Sequence, residues 1–185
     1  MQELSMNVLD IAENSVSAGA TLISISLAMS NARNELVLII EDNGCGMGED
    51  TLAKVTDPFC TSRKTRKVGL GLPFLKMAAE QTGGKMHITS VVGKGTRVCA
   101  EFTLRHIDLA PIGAIGQTVA ALIQCNPTID FVFTASNDSE TFCANTRELR
   151  KILGEVSFAE PEIAIWLRDY LEENTKEILK RSIVL

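Results

Sequence analysis

The stretch Glu35-Leu-Val-Leu-Ile-Ile-Glu-Asp42-Asn-Gly44-Cys-Gly46-Met47 decides how the rest of the chain is read. A short aliphatic run bounded by turn residues reads as a strand over Glu35–Glu41. Asp42-Asn43-Gly44 then breaks it, since Asn and Asp bond their own backbone and glycine accepts turn geometry. Upstream, Ile23, Ile25, Leu27 and Met29 alternate with Ser24, Ser26 and Ala28, which predicts a strand over Thr21–Met29. The polar turn Ser30, Asn31, Arg33, Asn34 joins the two as a hairpin. Before them, Leu4, Val8, Ile11, Ala12, Ser15 and Val16 share one helical face and Asp10, Glu13, Asn14 and Ser17 the other. That predicts a helix over 3–18, closed by Gly19.

Downstream of Asp42 the pattern dissolves into a Gly- and charge-rich loop reaching Val68, with a short helix around Thr51–Val55. A loop of this length inside a compact domain is usually functional. A helix follows from Leu70 to Gln81, then strands Lys85–Val91 and Thr96–Leu104 around Gly93 and Gly95. The order α-β-β-loop-α-β-β predicts an α+β fold with helices layered on one mixed, mostly antiparallel sheet. Residues 105–113, with Pro111, read as a linker. Beyond it come a helix (Ala114–Gln124), strands Ile129–Thr134 and Glu140–Asn145, a short helix from Thr146, and a helix from Pro161 to about Lys180. Its stripe is Ile163, Trp166, Leu167, Tyr170 and Leu171. Two units are expected: 1–105, and a small α/β docking or dimerisation unit at 112–185.

Composition narrows the function. Of 185 residues, 45% are hydrophobic and 22% charged, the profile of a globular protein. The longest aliphatic run, Leu36–Ile40, is far short of the ~20 residues of a membrane span. No signal peptide is visible, so a cytoplasmic protein is expected. Five cysteines without a C-x-x-C pair, beside two histidines, argue against zinc and disulfide frameworks. The net charge of −5 lies in residues 106–185, and no basic face suited to nucleic acid is present. The one basic cluster is local: Arg63, Lys64, Arg66 and Lys67.

Three features in fixed order carry the chemistry: Asp10 with Asn14 on one helix face, Asp42 to Met47 after a strand, and Gly69-Leu70-Gly71-Leu72 opening a helix. Together they read as an ATP site. Gly69 and Gly71 let backbone N–H groups approach phosphate at a helix N-terminus. Asn14 offers a neutral oxygen to Mg²⁺, which keeps several waters and phosphate oxygens. Asp42 can accept from the exocyclic amine of adenine, while Gly44 and Gly46 keep the pocket open to a flat ring. There is no G-x-x-x-x-G-K-[ST], so this is not a P-loop.

These residues resemble the boxes of the GHKL superfamily of Bergerat-fold ATPases, which holds histidine kinases, anti-sigma serine kinases, gyrase B and MutL proteins. Residues 10–20 are similar to its N box, Glu41–Met47 to its G1 box and Asp57-Pro58-Phe59 to its F box. Val68-Gly69-Leu-Gly71-Leu-Pro, Gly83-Gly84 and Gly95-Thr96 are similar to the G2 region and closing strands. The resemblance spans about residues 5–104. It implies a histidine-kinase-like ATP-binding domain that takes ATP and Mg²⁺. Asn14 would hold the metal and Asp42 the adenine. Gly44, Gly46, Met47, Phe59, Gly69, Leu70, Gly71 and Leu72 would shape the pocket and lid, and Thr96 would lie near adenine through water. Residues 47–68 would form a lid whose basic cluster, Arg63, Lys64, Arg66 and Lys67, lies close to the β- and γ-phosphates as a movable clamp.

The departures are specific. Asp10 stands where hydrolysing members carry a Glu base, and Glu13 competes for that role. Ser17 stands where kinases often carry Lys, and Lys67 where a lid glycine is usual. Three classes stay open: a histidine- or serine-kinase-like phosphotransferase acting on a partner protein, a slow ATPase switch of the MutL or gyrase type, and a non-catalytic ATP-sensing docking module. The partners expected are an adenine nucleotide and a phosphoacceptor or regulated protein, with a homodimer through the C-terminal part as a further candidate; neither nucleic acid nor membrane is expected. The nucleotide boxes begin almost at residue 1, so no phosphoacceptor helix is expected before them. His106, followed by Asp108, reads as a linker histidine.

Overall fold

The computed structural model describes residues 3–56, 71–154 and 156–181. Elements run α1 (Leu4–Ser17), β1 (Leu22–Ser30), β2 (Glu35–Asp42), α2 (Glu49–Leu52), α3 (Gly71–Gln81), β3 (Lys85–Val91) and β4 (Gly95–Thr103). There follow α4 (Ile115–Cys125), β5 (Asp130–Ser136), β6 (Thr141–Asn145), α5 (Thr146–Leu153) and α6 (Pro161–Arg181). The six strands form one sheet in the order β3-β4-β2-β1-β5-β6. Every pairing is antiparallel except β1 with β5. This is the helix-on-sheet α+β architecture that the sequence pattern predicts, with element ends differing by a residue or two.

Alternation along the strands builds the core. Ile23, Ile25, Leu27 and Met29 of β1, and Leu36, Leu38 and Ile40 of β2, are buried, while the residues between them are half-exposed. Leu4, Val8, Ile11 and Ala12 of α1 and Leu75 and Ala79 of α3 close onto that face. Each fully buried large aliphatic contributes about 1.5–3 kcal/mol. Gly19 has φ +72°, the left-handed step expected after α1.

Residues beyond 105 complete the same sheet and the same core. β5 pairs along the free edge of β1, with Ile23 opposite Phe131 and Leu27 opposite Ala135. Phe131, Phe133, Leu167 and Leu171 join the core built by the first strands. The segment read as a linker caps α1: the N–H groups of Leu4 and Ser5 donate to the carbonyls of Pro111 and Ile112 at 2.9 and 3.0 Å. Helix termini leave such donors open, so the linker carbonyls fix the start of α1.

Three local readings are corrected. The cap of α5 is Asn145, whose side chain accepts from the Arg147 N–H, while Thr146 is buried and accepts from the Phe131 N–H at 2.8 Å. The short helix lies at Glu49–Leu52 rather than Thr51–Val55. Trp166 is 44% exposed, because the apolar stripe of α6 is wider than the strip that α4 and the sheet cover. No helix among the described residues is long and apolar enough to cross a membrane.

Candidate functional site

The site gathers where β2 ends. Asp42 lies opposite Ile23 of β1 and Thr96 of β4 in register, so its backbone sits between the two strands at the sheet terminus and its carboxylate turns off the sheet toward α1. The Ser15 hydroxyl of α1 donates to its Oδ2 at 2.7 Å and the Gly44 N–H to its Oδ1 at 2.9 Å. Each oxygen keeps a further lone pair, since a carboxylate offers about four acceptor positions. The side chain is thus fixed in direction and still able to accept from a ligand.

Neighbouring bonds hold the turn rigid. Asn43 Oδ1 accepts from the Thr21 and Leu22 N–H groups at 2.8 and 2.9 Å, and its Nδ2 donates to Thr21 Oγ1 at 2.8 Å. The Cys45 N–H donates to the Ala18 carbonyl, and the Gly93 N–H to the Cys45 carbonyl. The loop is therefore tied to the end of α1 and to the β3–β4 hairpin together. Gly46 at φ +65° and Gly95 at φ +114° are required as glycines. A Cβ on Gly46 would run into the Val91 carbonyl, and one on Gly95 into the carbonyl of Asp42 itself.

Ser90 links the loop to Thr96. Its Oγ accepts from the Met47 N–H at 2.8 Å, donates to the Gly95 carbonyl at 3.0 Å, and lies 2.8 Å from Thr96 Oγ1. With the Ser90 proton committed to Gly95, the Thr96 hydroxyl is the donor of that last pair. Met47 and Thr96 thus meet through one hydroxyl beside Asp42.

The α1 side chains approach from the other direction. Asp10, Glu13 and Asn14 are exposed. A Cβ built on Gly71 would come within 2.8 Å of Asp10 Cβ, so the first residue of α3 rests directly on Asp10. Partial burial raises the Asp10 carboxyl above its ordinary 3.8. Asp10 and Asn14, four apart, share one side of α1. Leu72, the second residue of α3, is 8% exposed and packs with the hydrophobic core. Phe59, Lys64, Lys67, Gly69 and Leu70, with the rest of the F box and basic cluster, lie outside the described residues.

The structure brings Asp42, Gly44, Gly46, Met47 and Thr96 together, and sets Asp10 against Gly71. Two contributors escape sequence reasoning. Ser15 sits in the apolar stripe of α1, where only its polarity among buried neighbours signals a bonded partner. Ser90 carries no motif at all. Elsewhere, the described cysteines 45, 99, 125 and 143 are free thiols, and Asp108 N–H donates to His106 Nδ1 at 3.1 Å, tying that ring into the linker turn.

The geometry fits an adenine nucleotide with Mg²⁺. Asp42 is an anchored acceptor beside backbone that glycine alone allows, and Asn14 presents an uncharged oxygen at the helix surface. The donor set, one amide and no thiolate or imidazole, suits a hard cation that retains water.

Residues 1–106 match the family described as histidine kinase-, DNA gyrase B- and HSP90-like ATPases. A putative sensor protein from Shewanella frigidimarina is 34% identical over 109 residues, covering 58% of this chain and 17% of that protein. The sensor protein kinase FleS of Pseudomonas aeruginosa is 36% identical over 108 residues, 58% of this chain and 26% of FleS. The chain therefore spans only about a sixth to a quarter of these relatives. Among solved structures, the N-terminal domain of a DNA repair protein superposes with TM-score 0.55 at 14% identity, over 77% of this chain and 52% of that one. That likeness is one of fold, and it extends past residue 106 into the C-terminal elements.

Proposed function

Because the chain belongs to the family of histidine kinase-, DNA gyrase B- and HSP90-like ATPases, we propose that its ATP-binding, kinase-like domain serves as a phosphotransferase that regulates a partner protein. The observation that carries the reading is the Asp42 carboxylate, held by Ser15 and Gly44 with lone pairs remaining, in register with Thr96. Asp42 takes the adenine amine, and Thr96 stands beside it. Gly44, Gly46 and Met47 frame the ring, while Gly71 opens α3 toward phosphate. Asn14 holds Mg²⁺ by its amide oxygen. When bound, MgATP supplies a transferable phosphoryl group with part of its charge neutralised. Asp10, whose carboxyl is raised by burial, orients the attacking hydroxyl, imidazole or water. Glu13, exposed beside Asn14, is the alternative base. Residues 112–185 provide the protein contacts.

A second reading, a slow ATPase switch, is favoured by the position of Asp10 against the start of α3, where a carboxylate could also direct water. Incubation with γ-labelled ATP, alone and with cell extract, separates the readings. Label on protein supports the kinase; free phosphate alone supports the switch. Binding without either product leaves a sensor, and overturns the proposal of phosphotransfer.

A further inference from the structure

Asp42, Thr96 and Ser90 stand in one row across the end of the sheet, Asp42 opposite Thr96 and Thr96 opposite Ser90. Opposed residues of antiparallel strands share a face, with Cβ atoms about 5 Å apart. The Asp42 carboxylate bonds to Ser15 and Gly44, and the Thr96 hydroxyl to Ser90. Among the described residues no bond joins the Asp42 and Thr96 side chains to each other.

The bonding capacity of Ser90 is full. A hydroxyl has one proton and two lone pairs. Its oxygen lies 3.0 Å from the Gly95 carbonyl, which has no proton of its own, so the Ser90 proton fills that gap. One lone pair accepts from the Met47 N–H at 2.8 Å, and the other from the Thr96 hydroxyl at 2.8 Å. The Thr96 proton therefore points toward β3 and away from Asp42, and Thr96 offers a ligand only lone pairs. Nearby backbone donors are engaged too: the Asn43 N–H with the Leu22 carbonyl, the Gly44 N–H with Asp42, and the Cys45 N–H with the Ala18 carbonyl. An ionised carboxylate likewise only accepts. Asp42 and Thr96 form a wall of acceptors.

We infer that Ser90 is a specificity-determining positioning residue. By holding the Thr96 proton out of the pocket, it favours a purine that donates at position six over one that accepts there. This rests on the adenine reading of Asp42 and deepens it, since Ser90 acts through Thr96. Adenine carries an amino group at position six, and hypoxanthine a carbonyl oxygen. Against Asp42 that oxygen meets a second acceptor, and the fixed Thr96 hydroxyl cannot turn its proton to it. Freeing that proton gives the wall a donor, and polar groups left unpaired are what a site discriminates by.

Calorimetric titration of the full chain with ATP and with ITP, both with Mg²⁺, tests the assignment. Ser90→Ala should cut the preference for ATP over ITP about fivefold to tenfold, the worth of one hydrogen bond. Ser90→Val, a shape better suited to a strand, should do the same. Ser90→Thr keeps the hydroxyl and should keep the wild-type preference. Thr96→Val removes the released donor, so in that background Ser90→Ala should leave the preference unchanged. A Ser90 that only supported the fold would weaken both nucleotides alike, and partial unfolding also cancels from their ratio. An unchanged ratio in Ser90→Ala and Ser90→Val, a lost preference in Ser90→Thr, or the same shift with Thr96→Val present overturns the inference. So does a wild type that binds ATP and ITP equally. A wild type that binds neither nucleotide strikes the Asp42 reading itself, and Ser90 falls with it.

Discussion

Asp42→Asn exchanges one carboxylate oxygen for an NH₂ group at constant side-chain size. The Gly44 N–H donates to Oδ1, so the amide oxygen stays there and the new NH₂ takes the Oδ2 position. Ser15, 2.7 Å away, can rotate its hydroxyl to accept. The adenine amine cannot, because it is itself a donor. Losing a hydrogen bond to a charged acceptor costs about 1.5–3 kcal/mol, and leaving a buried donor without an acceptor adds about 1–3 kcal/mol. At 1.4 kcal/mol per decade, MgATP affinity should fall by about a hundredfold or more. Ser15→Ala should lose far less, about 1 kcal/mol or fivefold, because the carboxylate stays and loses only one of its fixing bonds. Calorimetric titration of each variant measures both, with thermal melting to show that the fold persists. An Asp42→Asn variant that binds within about threefold of wild type, a difference under 1 kcal/mol, refutes the reasoning.

Gly95→Ala should lower both stability and ATP affinity, since its Cβ meets the Asp42 carbonyl at a φ that costs about 1–3 kcal/mol for other residues; melting and titration read the two losses. Gly116→Ala should separate them. Its Cβ would lie 2.6 Å from Glu172 Cα, where α4 crosses α6, so the melting point should drop by several degrees with ATP affinity intact. Asp10→Asn should stabilise the unliganded chain at neutral pH and slow any turnover. The raised Asp10 carboxyl means that the folded chain holds more protons than the unfolded one between 3.8 and its raised value, so stability falls as pH rises through that window. The gain from Asn should therefore vanish below the unfolded value of 3.8, and melting curves at acid and neutral pH test it.

Much of the fold was legible because the signals are local. Alternation over 23–29 and 36–40, the i, i+4 face of α1 and the glycines at 19 and 95 each act within a few residues, and the elements appear where those patterns stand. The candidate residues Asp42, Gly44, Gly46 and Met47 were legible for the same reason, as one contiguous turn. Ser15 and Ser90 were missed because their partners, Asp42 and Thr96 with Met47, lie on other elements.

By itself the sequence determined the element order and the alternating faces, because dihedral preference and side-chain period are properties of neighbouring residues. Tertiary structure decided that β5 takes the open edge of β1, that linker carbonyls cap α1, and that Ser15 aims Asp42. Those depend on which backbone donors and acceptors remain unpaired once the chain collapses, and each is settled by a partner 25 or more residues away in sequence, beyond the reach of any local pattern.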